Sequence, residues 1–493
     1  MQEREIKLSI AAEVTLPDLA DAARGVTARP LPVRQMRTTY YDTPDMRLAR
    51  WGCNLRYRAG EGWTVKLPTG KDGALVVRDE QVFAGRARQP PREAVELLHA
   101  YVRGASLRAV AALRTSRHPV ELLDDGERRL GELTDDRVAV LDGRKVARRF
   151  REIEIELAEQ APDGTLGWLV KRLLDAGSEP AGVTSKYLQA LGDRELVAPE
   201  VVVVPVARDA SVVELLRHDL GAAVLRLFRQ EPGVRLGEDP EAVHQARVGL
   251  RRVRSSLRSF HTLLEPGWTS RLRAETKWLA DRLGAVRDAD VLLARLEARV
   301  DELDERDARS ARRLLGRLAG ERDKARAGLL AAMRESRYTR LLDDLLAAAS
   351  VPATLDGDRP AVEAVVPPVA GTWRKLRKEV RRAGDDPSDG QLHRIRIRAK
   401  RCRYAAEMVV PVVGRPATRF AAAAEAVQEI LGEQHDAVIA QAWLRDAAGA
   451  AGSGAGLAAG QLIAAERAVA DRARSQWHAA WERLDRKKLR AWF

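Results

Sequence analysis

Charged residues that alternate with apolar ones along a strand place every charge on one face, and two stretches of this chain do so with carboxylates. Residues 3 to 8 read EREIKL, so Glu3, Glu5 and Lys7 share one face while Ile6 and Leu8 share the other. Residues 151 to 157 read REIEIEL, setting Glu152, Glu154 and Glu156 against Ile153, Ile155 and Leu157. One such strand is an ordinary half-exposed strand. Here, however, LRYR puts Arg56 and Arg58 on one face and WTVKL puts Lys66 with Thr64. Several strands with charged faces of mixed sign predict a closed antiparallel barrel with a polar interior. Crowded carboxylates repel unless a divalent cation sits among them, and hard oxygen donors suit Mg²⁺ or Mn²⁺. The basic residues would then hold an anion bridging to that cation. A chain of three phosphates, gripped along its length and metal-bound at the end being cleaved, uses every charge the strands offer.

A second pattern lies in VHQARVGLRRVRSSLR, residues 243 to 258. On a helical period, His244, Arg247, Arg251, Arg254 and Arg258 form one stripe, and Val243, Ala246, Leu250, Val253 and Leu257 another. A single basic helix of this kind usually faces solvent. The stripe recurs, though. LHRIRIRAKRCRY at 392 to 404, shifted by 149 residues, sets His393 on His244, Arg396 on Arg247, Lys400 on Arg251, Arg401 on Arg252 and Arg403 on Arg254. Each copy follows an Asp-Pro turn and precedes a related segment, LGAVRDADV at 283 and LGEQHDAVI at 431. Codon bias does not repeat a register, so the two halves are expected to pack as a pseudo-twofold pair with both stripes around a shared groove. A guanidinium donates two parallel hydrogen bonds to a phosphate, each charge-assisted bond contributing roughly 1.5 to 3 kcal/mol where water is partly excluded. The stripes carry no interleaved aromatics and no Asn or Gln to read base edges, which favours polyphosphate over nucleic acid. His244, His393 and His435 suit hydrogen bonding to an anion, or capping, better than metal binding.

The rest of the chain must position these two sets. Its 493 residues are 45% apolar and 31% charged, a globular composition, and the net charge of +13 points to polyanionic partners. Up to about residue 197 short alternating segments predominate; from 211 onward long helical periodicity does. The expected division is therefore residues 1 to 197, a linker at 198 to 210, and a helical domain from 211 to 493 in halves of about 211 to 350 and 361 to 493. Trp51, Tyr57 and Trp63 could frame a pocket for an aromatic ring, although strand aromatics more often belong to the core. Cys53 and Cys402 suggest no disulfide framework. With neither a leader pattern nor a long uncharged apolar run, the sequence reads as cytoplasmic, with association to polyphosphate granules as an extension of that reading.

Two resemblances bear on these motifs. ExExK at Glu3-Arg4-Glu5-Ile6-Lys7, followed in order by YYDTPDMRL, LRYR, TVKL, REIEIEL and SKY, resembles the CYTH family, the triphosphate tunnel metalloenzymes, over about residues 1 to 195. That resemblance implies an eight-stranded antiparallel barrel with flanking helices and metal ligands at Glu3, Glu5, Glu152 and Glu154, with Glu156 and Asp136 as further candidates. It implies triphosphate contacts from Lys7, Arg56, Arg58, Lys66, Arg117 and Lys186, with Arg78 a weaker assignment. The catalytic set would be Glu3, Glu5 and Lys7, the reaction metal-dependent hydrolysis of inorganic triphosphate to phosphate and pyrophosphate. Thiamine triphosphatase, adenylate cyclase and polyphosphate binding without catalysis remain alternatives; the start of the motif at Glu3 speaks against the cyclase. HQARVGLRRVRSSLRSF, LGAVRDADVLL, HRIRIRAKRCRYAAEM and LGEQHDAVI resemble the CHAD domain, an α-helical module of two pseudo-symmetric halves associated with inorganic polyphosphate. This makes His244, Arg247, Arg251, Arg254, His393, Arg396, Lys400 and Arg403 the expected polyanion ligands.

Overall fold

The computed structural model describes residues 4–17, 26–72, 75–158, 161, 164–180, 185–192, 198–449 and 453–493. The chain divides into two compact units, Met1–Glu200 and Val201–Phe493. The first contains strands β1 (Arg4–Ser9), β2 (Val26–Pro30), β3 (Arg34–Asp42), β4 (Asn54–Arg58), β5 (Gly62–Asp72), β6 (Leu75–Phe83), β7 (Arg108–Asp124), β8 (Arg129–Asp142), β9 (Lys145–Leu157) and β10 (Glu179–Pro180). Its helices are α1 (Arg47–Arg50), α2 (Arg92–Leu97), α3 (His99–Val102), α4 (Thr165–Asp175) and α5 (Lys186–Leu191).

Among the described residues the ten strands form one antiparallel sheet in the order β10-β1-β9-β8-β7-β3-β4-β5-β6, with β2 also on β7. The expectation of eight strands is corrected to ten. The difference arises because β7 is 17 residues long, so β3 covers one part of it and β2 another, while β10 adds a two-residue rung to β1. Register carries the sequence pattern into space. Lys7 pairs with Glu154 and Ser9 with Glu152 across β1 and β9, and Asp136 of β8 stands opposite both Arg117 and Glu152. Matched parity keeps these charges on one face. On the other, Leu8, Leu133, Ile153 and Ile155 are buried with Leu169 and Leu173 of α4, each side chain contributing roughly 1.5 to 3 kcal/mol. Likewise Leu55, Trp63 and Val65 are fully buried while Arg56, Arg58 and Lys66 point the opposite way. Trp63 packs with Tyr41 and Tyr57, and Trp51 with Tyr101. The aromatic-ring pocket considered for Trp51, Tyr57 and Trp63 is thus replaced by packing among these rings.

The second unit is all helical: α6 (Val212–Leu236), α7 (Pro240–Ser259), α8 (Pro266–Val300), α9 (Glu305–Ala332), α10 (Ser336–Ser350), α11 (Ala361–Ala383), α12 (Asp389–Met408), α13 (Val410–Val413), α14 (Arg415–Gly449) and α15 (Ser453–Leu484), with short 3-10 turns at 261–263 and 487–489. A Ser211/Glu214 capping box starts α6, Asp239 caps α7 with Pro240 in the first turn, and Ser388 with Gln391 caps α12. The apolar stripes are buried as the periodicity requires: Val243, Ala246, Leu250, Val253 and Leu257 on α7, and Leu392, Ile395, Ala399 and Cys402 on α12. One core joins α11, α12, α14 and α15, and another joins α8 and α9 to α14 and α15. The break at 351–360 is held by Val212 N donating to Arg359 O at 2.9 Å and Leu355 N to Leu263 O at 3.0 Å. No helix among the described residues is long and apolar enough to cross a membrane.

The α6–α7 contact depends on Gly249, where a Cβ would lie 2.7 Å from Ala223 O and 3.2 Å from Leu227 N, both backbone atoms. Gly249→Ala is expected to lower stability by about 1 to 3 kcal/mol through overpacking. Gly316→Ala on α9, with open space around it, should leave stability unchanged or raise it by up to about 1 kcal/mol. Denaturant melts of the two variants check this.

Candidate functional sites

In the sheet unit, Lys7, Arg56, Arg58, Lys66, Arg117 and Lys186 all reach a cavity of about 210 Å³ whose lining also includes Glu80, Glu154 and Glu156. β1, β4, β5, β7 and β9 each place charges there because strand alternation turns every second side chain the same way. Arg117 binds Asp136 through Nε at 2.9 Å and Nη2 at 2.6 Å, and Nη2 is also 2.9 Å from Glu154. Lys186 Nζ lies 2.7 Å from Asp136, 2.8 Å from Glu154 and 3.3 Å from Glu152. Lys7 donates to Glu154 and is 3.6 Å from Glu152. Opposite this cluster, Glu80 takes Lys66 at 2.7 Å and Arg56 at 2.8 Å.

The electrostatics follow from burial and pairing. Burial raises the Glu152 pKa against the pull of Lys186 and Lys7. For Glu154 burial acts in the same direction, but Lys186, Lys7 and Arg117 together hold its carboxyl well below the usual range. Burial likewise opposes the charge on Lys186, yet Glu154 and Glu152 raise its pKa overall. Gln189 Nε2 donates to Glu152 Oε2 at 2.9 Å, while Lys186 and Lys7 lie 3.3 Å and 3.6 Å from its Oε1.

The sequence-predicted residues divide as follows. The six cations and Glu156 line the cavity, and Asp136, Glu152 and Glu154 are joined to those cations. Glu3 lies outside the described residues, whereas Glu5 and Arg78 are placed only as strand positions, Glu5 opposite Glu156 and Arg78 opposite Pro68. Two contributors were not singled out from sequence. Glu80 had no repeated pattern to mark it. Asp42, within YYDTPDMRL, is fully buried and accepts from Leu48 N and Ala49 N at 2.9 Å and from Tyr187 Oη at 2.6 Å. It thereby ties the first turn of α5, and with it Lys186, to β3. A larger concavity of about 770 Å³, lined by Arg114, Arg137 and Arg149 among others, draws mainly on strand positions of the opposite parity and lacks the carboxylate row.

In the helical unit a cavity of about 460 Å³ gathers His244, Arg247 and Arg251 of α7, His393, Arg396 and Lys400 of α12, and residues of α8 and α14. The two later segments contribute equivalent positions: Arg287, Asp288 and Val291 from one, His435, Asp436 and Ile439 from the other. The recurrence of LGAVRDADV and LGEQHDAVI at one place in the repeat is the signal in the sequence for Arg287 and the aspartates, which carry no charge periodicity of their own. Arg247 Nη1 is 2.7 Å from Asp288, and Arg396 is 3.9 Å from Asp436. The glycines of both segments lie beside these arginines at ordinary contact distance. A Cβ on Gly284 would sit 3.8 Å from the Arg247 guanidinium, and one on Gly432 3.6 Å from Arg396 Nε.

This cavity is short of negative charge. His393 and His435 rings lie 4.1 Å apart between centroids, and His393 Nδ1, Arg251 Nε and Arg396 Nε are buried without hydrogen-bond partners. Burial, with Arg251, Arg396 and Arg247 nearby, pushes Lys400 down to about 7. Burial and His393, Arg396 and Lys400 push His435 down to about 4. Arg254 and Arg403 lie outside this lining: Arg403 pairs with Glu407 and Glu425, and Arg254 faces Arg273 and Asp281.

A sheet unit with a converging row of carboxylates and cations, followed by a helical unit with a twice-repeated basic helix, is the organisation of CYTH–CHAD proteins. This chain belongs to that family: the CYTH domain matches residues 1–181 and the CHAD domain residues 218–445. The uncharacterized protein Rv2226 of Mycobacterium tuberculosis is 32% identical over 527 aligned positions, covering 99% of this chain and 97% of that protein. The CHAD domain from the plant Ricinus communis is 29% identical, covering 58% of this chain and 95% of that structure, with a TM-score of 0.47. HpAC1 from Hippeastrum, described by its dominant triphosphatase activity, is 18% identical over 40% of this chain and 99% of that structure, with a TM-score of 0.24. CYTH domains are, as a family, metal-dependent phosphohydrolases.

Lys400 gives a stability test. Its folded pKa, about 7, lies below its unfolded value, so between those limits the unfolded chain binds more protons and stability rises with pH. Wild type should therefore gain stability from pH 7 to pH 10 relative to Lys400→Met, with no further divergence below pH 6. Chemical denaturation of both proteins across that range measures the difference.

Proposed function

We propose that the sheet unit hydrolyses inorganic triphosphate to phosphate and pyrophosphate and that the helical unit holds inorganic polyphosphate. The observation that carries the first half is the convergence of six cations on one small cavity with a row of carboxylates along its wall. The approach of β6 to within 8 Å of β1 between Cα atoms supports closure of the sheet into a tunnel. Among the described residues no three acidic, imidazole or thiol groups form a ready metal cluster. The donor chemistry nevertheless fits a hard divalent cation, since Asp136, Glu152 and Glu154 gather carboxylate oxygens around Lys186. These carboxylates, with Glu3, Glu5 and Glu156, would hold Mg²⁺ or Mn²⁺, whose chemistry there is polarisation of the terminal phosphoryl group.

Arg56, Arg58, Lys66 and Arg117 bind the non-bridging oxygens along the chain and hold it in line for attack. Water oxygen forms the new bond to the terminal phosphorus, the bridging P–O bond breaks, the electron pair leaves with pyrophosphate, and the water's protons pass to the oxygens of the two products and to solvent. The same cations stabilise the charge developing on the leaving oxygen. Lys7 and Lys186 pair with both Glu154 and Glu152. Triphosphate competes for these ammonium groups and so frees the carboxylates for the cation.

For the helical unit, the excess of buried cations and their unpartnered nitrogens supports a polyanion as ligand. Polyphosphate fits better than nucleic acid because no Trp, Tyr or Phe lines the cavity to stack on bases. Buried Trp373 and Trp477 serve the core instead.

Phosphate release from inorganic triphosphate should require Mg²⁺ or Mn²⁺ and fall at least about 100-fold in Glu154→Gln and in Arg117→Met, the scale expected for lost transition-state contacts. Polyphosphate binding by these two variants should be unchanged. Arg247→Gln with Arg396→Gln should show the converse: normal hydrolysis and at least tenfold weaker binding. Absence of hydrolysis by wild type, with polyphosphate still bound, would leave a binding protein only.

A further inference from the structure

The cationic stripe of α7 does not end at the cavity described above. Arg258 lies seven residues beyond Arg251 on the same helical face, ~10 Å along the axis, and Arg254 lies between them. Arg258 enters a separate cavity of about 280 Å³ with Arg398 and Arg401 of α12, Lys375 of α11, and the hydroxyl residues Thr262 and Thr372. Among the described residues no carboxylate lines this cavity, and beside burial the charged groups that bear on Arg258 and Arg401 are further arginines, including Arg254, Arg273 and Arg398, with the Cys402 thiol also near Arg401. Arg401 Nε is buried without a hydrogen-bond partner. Burial among Arg258, Arg398 and Arg273 pushes Arg401 down to about 10.

Guanidinium groups repel one another, and a helix surface evolved only for stability separates them or supplies carboxylates, as Arg403 has in Glu407 and Glu425. Here several of them are assembled around a concavity with neither remedy. The missing charge is therefore an anion from outside. Its shape is constrained too: the cavity is small, and no Trp, Tyr or Phe lines it, so phosphate oxygens fit and nucleobases have no stacking partner.

We propose that Arg258, Arg398, Arg401 and Lys375 form a second phosphate-binding subsite, and that one polyphosphate chain occupies both cavities, passing along Arg254. This rests on the reading of the helical unit as a polyphosphate holder and adds a second point of attachment. Linked attachment raises affinity without new contacts at the first cavity, because the second event is intramolecular.

The test uses the full chain and long-chain inorganic polyphosphate, with a chelator present to prevent hydrolysis and ionic strength held constant. Dissociation constants are compared for wild type, Arg258→Gln/Arg401→Gln, Lys375→Gln/Arg398→Gln, Arg247→Gln/Arg396→Gln, and Arg309→Gln/Arg313→Gln, a pair of exposed arginines on α9 that removes equal charge elsewhere. Thermal melts establish that each variant is folded; the pair of exposed Lys375 and half-buried Arg398 serves if the Arg258/Arg401 pair does not fold. Both second-cavity variants should lose affinity tenfold or more while the α9 pair stays within twofold of wild type. Losses no larger than those of the α9 pair, with Arg247→Gln/Arg396→Gln impaired, would overturn the second subsite alone. No binding by wild type would overturn it together with the polyphosphate reading. Equal competition by single-stranded DNA at matched charge would show that the assigned occupant is wrong.

Discussion

Charge taken out of water must meet opposite charge, and each unit of this protein satisfies that constraint in its own way. In the sheet unit Asp136, Glu152 and Glu154 lie among Lys7, Arg117 and Lys186, and each carboxylate finds at least two cationic neighbours. In the helical unit the cations outnumber the carboxylates, and burial together with that deficit holds a lysine at about 7 and a histidine at about 4. A balanced cluster accepts a cation and an anion together, exchanging internal partners for external ones. An unbalanced cluster gains most from an anion. The proposed division of labour between metal-dependent hydrolysis and polyanion holding has an electrostatic basis in this difference.

Maintaining each arrangement requires apolar structure behind it. The glutamates of β9 hold their positions because Ile153 and Ile155 are buried against α4, and the arginines of β4 because Leu55 is buried on the other face. In the helical unit Val243, Leu250 and Leu257 anchor the same helix that presents Arg247 and Arg251. Asp288 and Asp436 are placed to orient arginines, leaving cationic surface available. Gly284 and Gly432 lie beside Arg247 and Arg396, where a Cβ would make ordinary van der Waals contact.

Strand alternation and helical repetition were legible in the chain because both are local periodicities. They identified Glu152 and Glu154 on one face, the cations at 7, 56, 58 and 66, and the basic helices carrying His244 and His393, whereas Arg117 and Lys186 came only from the resemblance to the CYTH family. They also separated a sheet-forming first part from a helical second part. Glu80 and Asp42 escaped because their importance arises from partners distant in sequence, Arg56 and Tyr187. Arg287 and the two aspartates were marked only by membership in a repeated segment.

What the sequence by itself determined was the chemistry available on each face: period two for the strands, period 3.6 for the helices, and a register repeated after 149 residues. Tertiary structure decided which faces meet. It set Lys186 against three carboxylates, brought Arg287 and His435 to the walls between the two basic helices, and left Arg258 and Arg401 around a cavity of their own. The physical reason is that periodicity specifies direction about an element's own axis, whereas convergence depends on strand register, helix crossing and the side-chain volumes between elements.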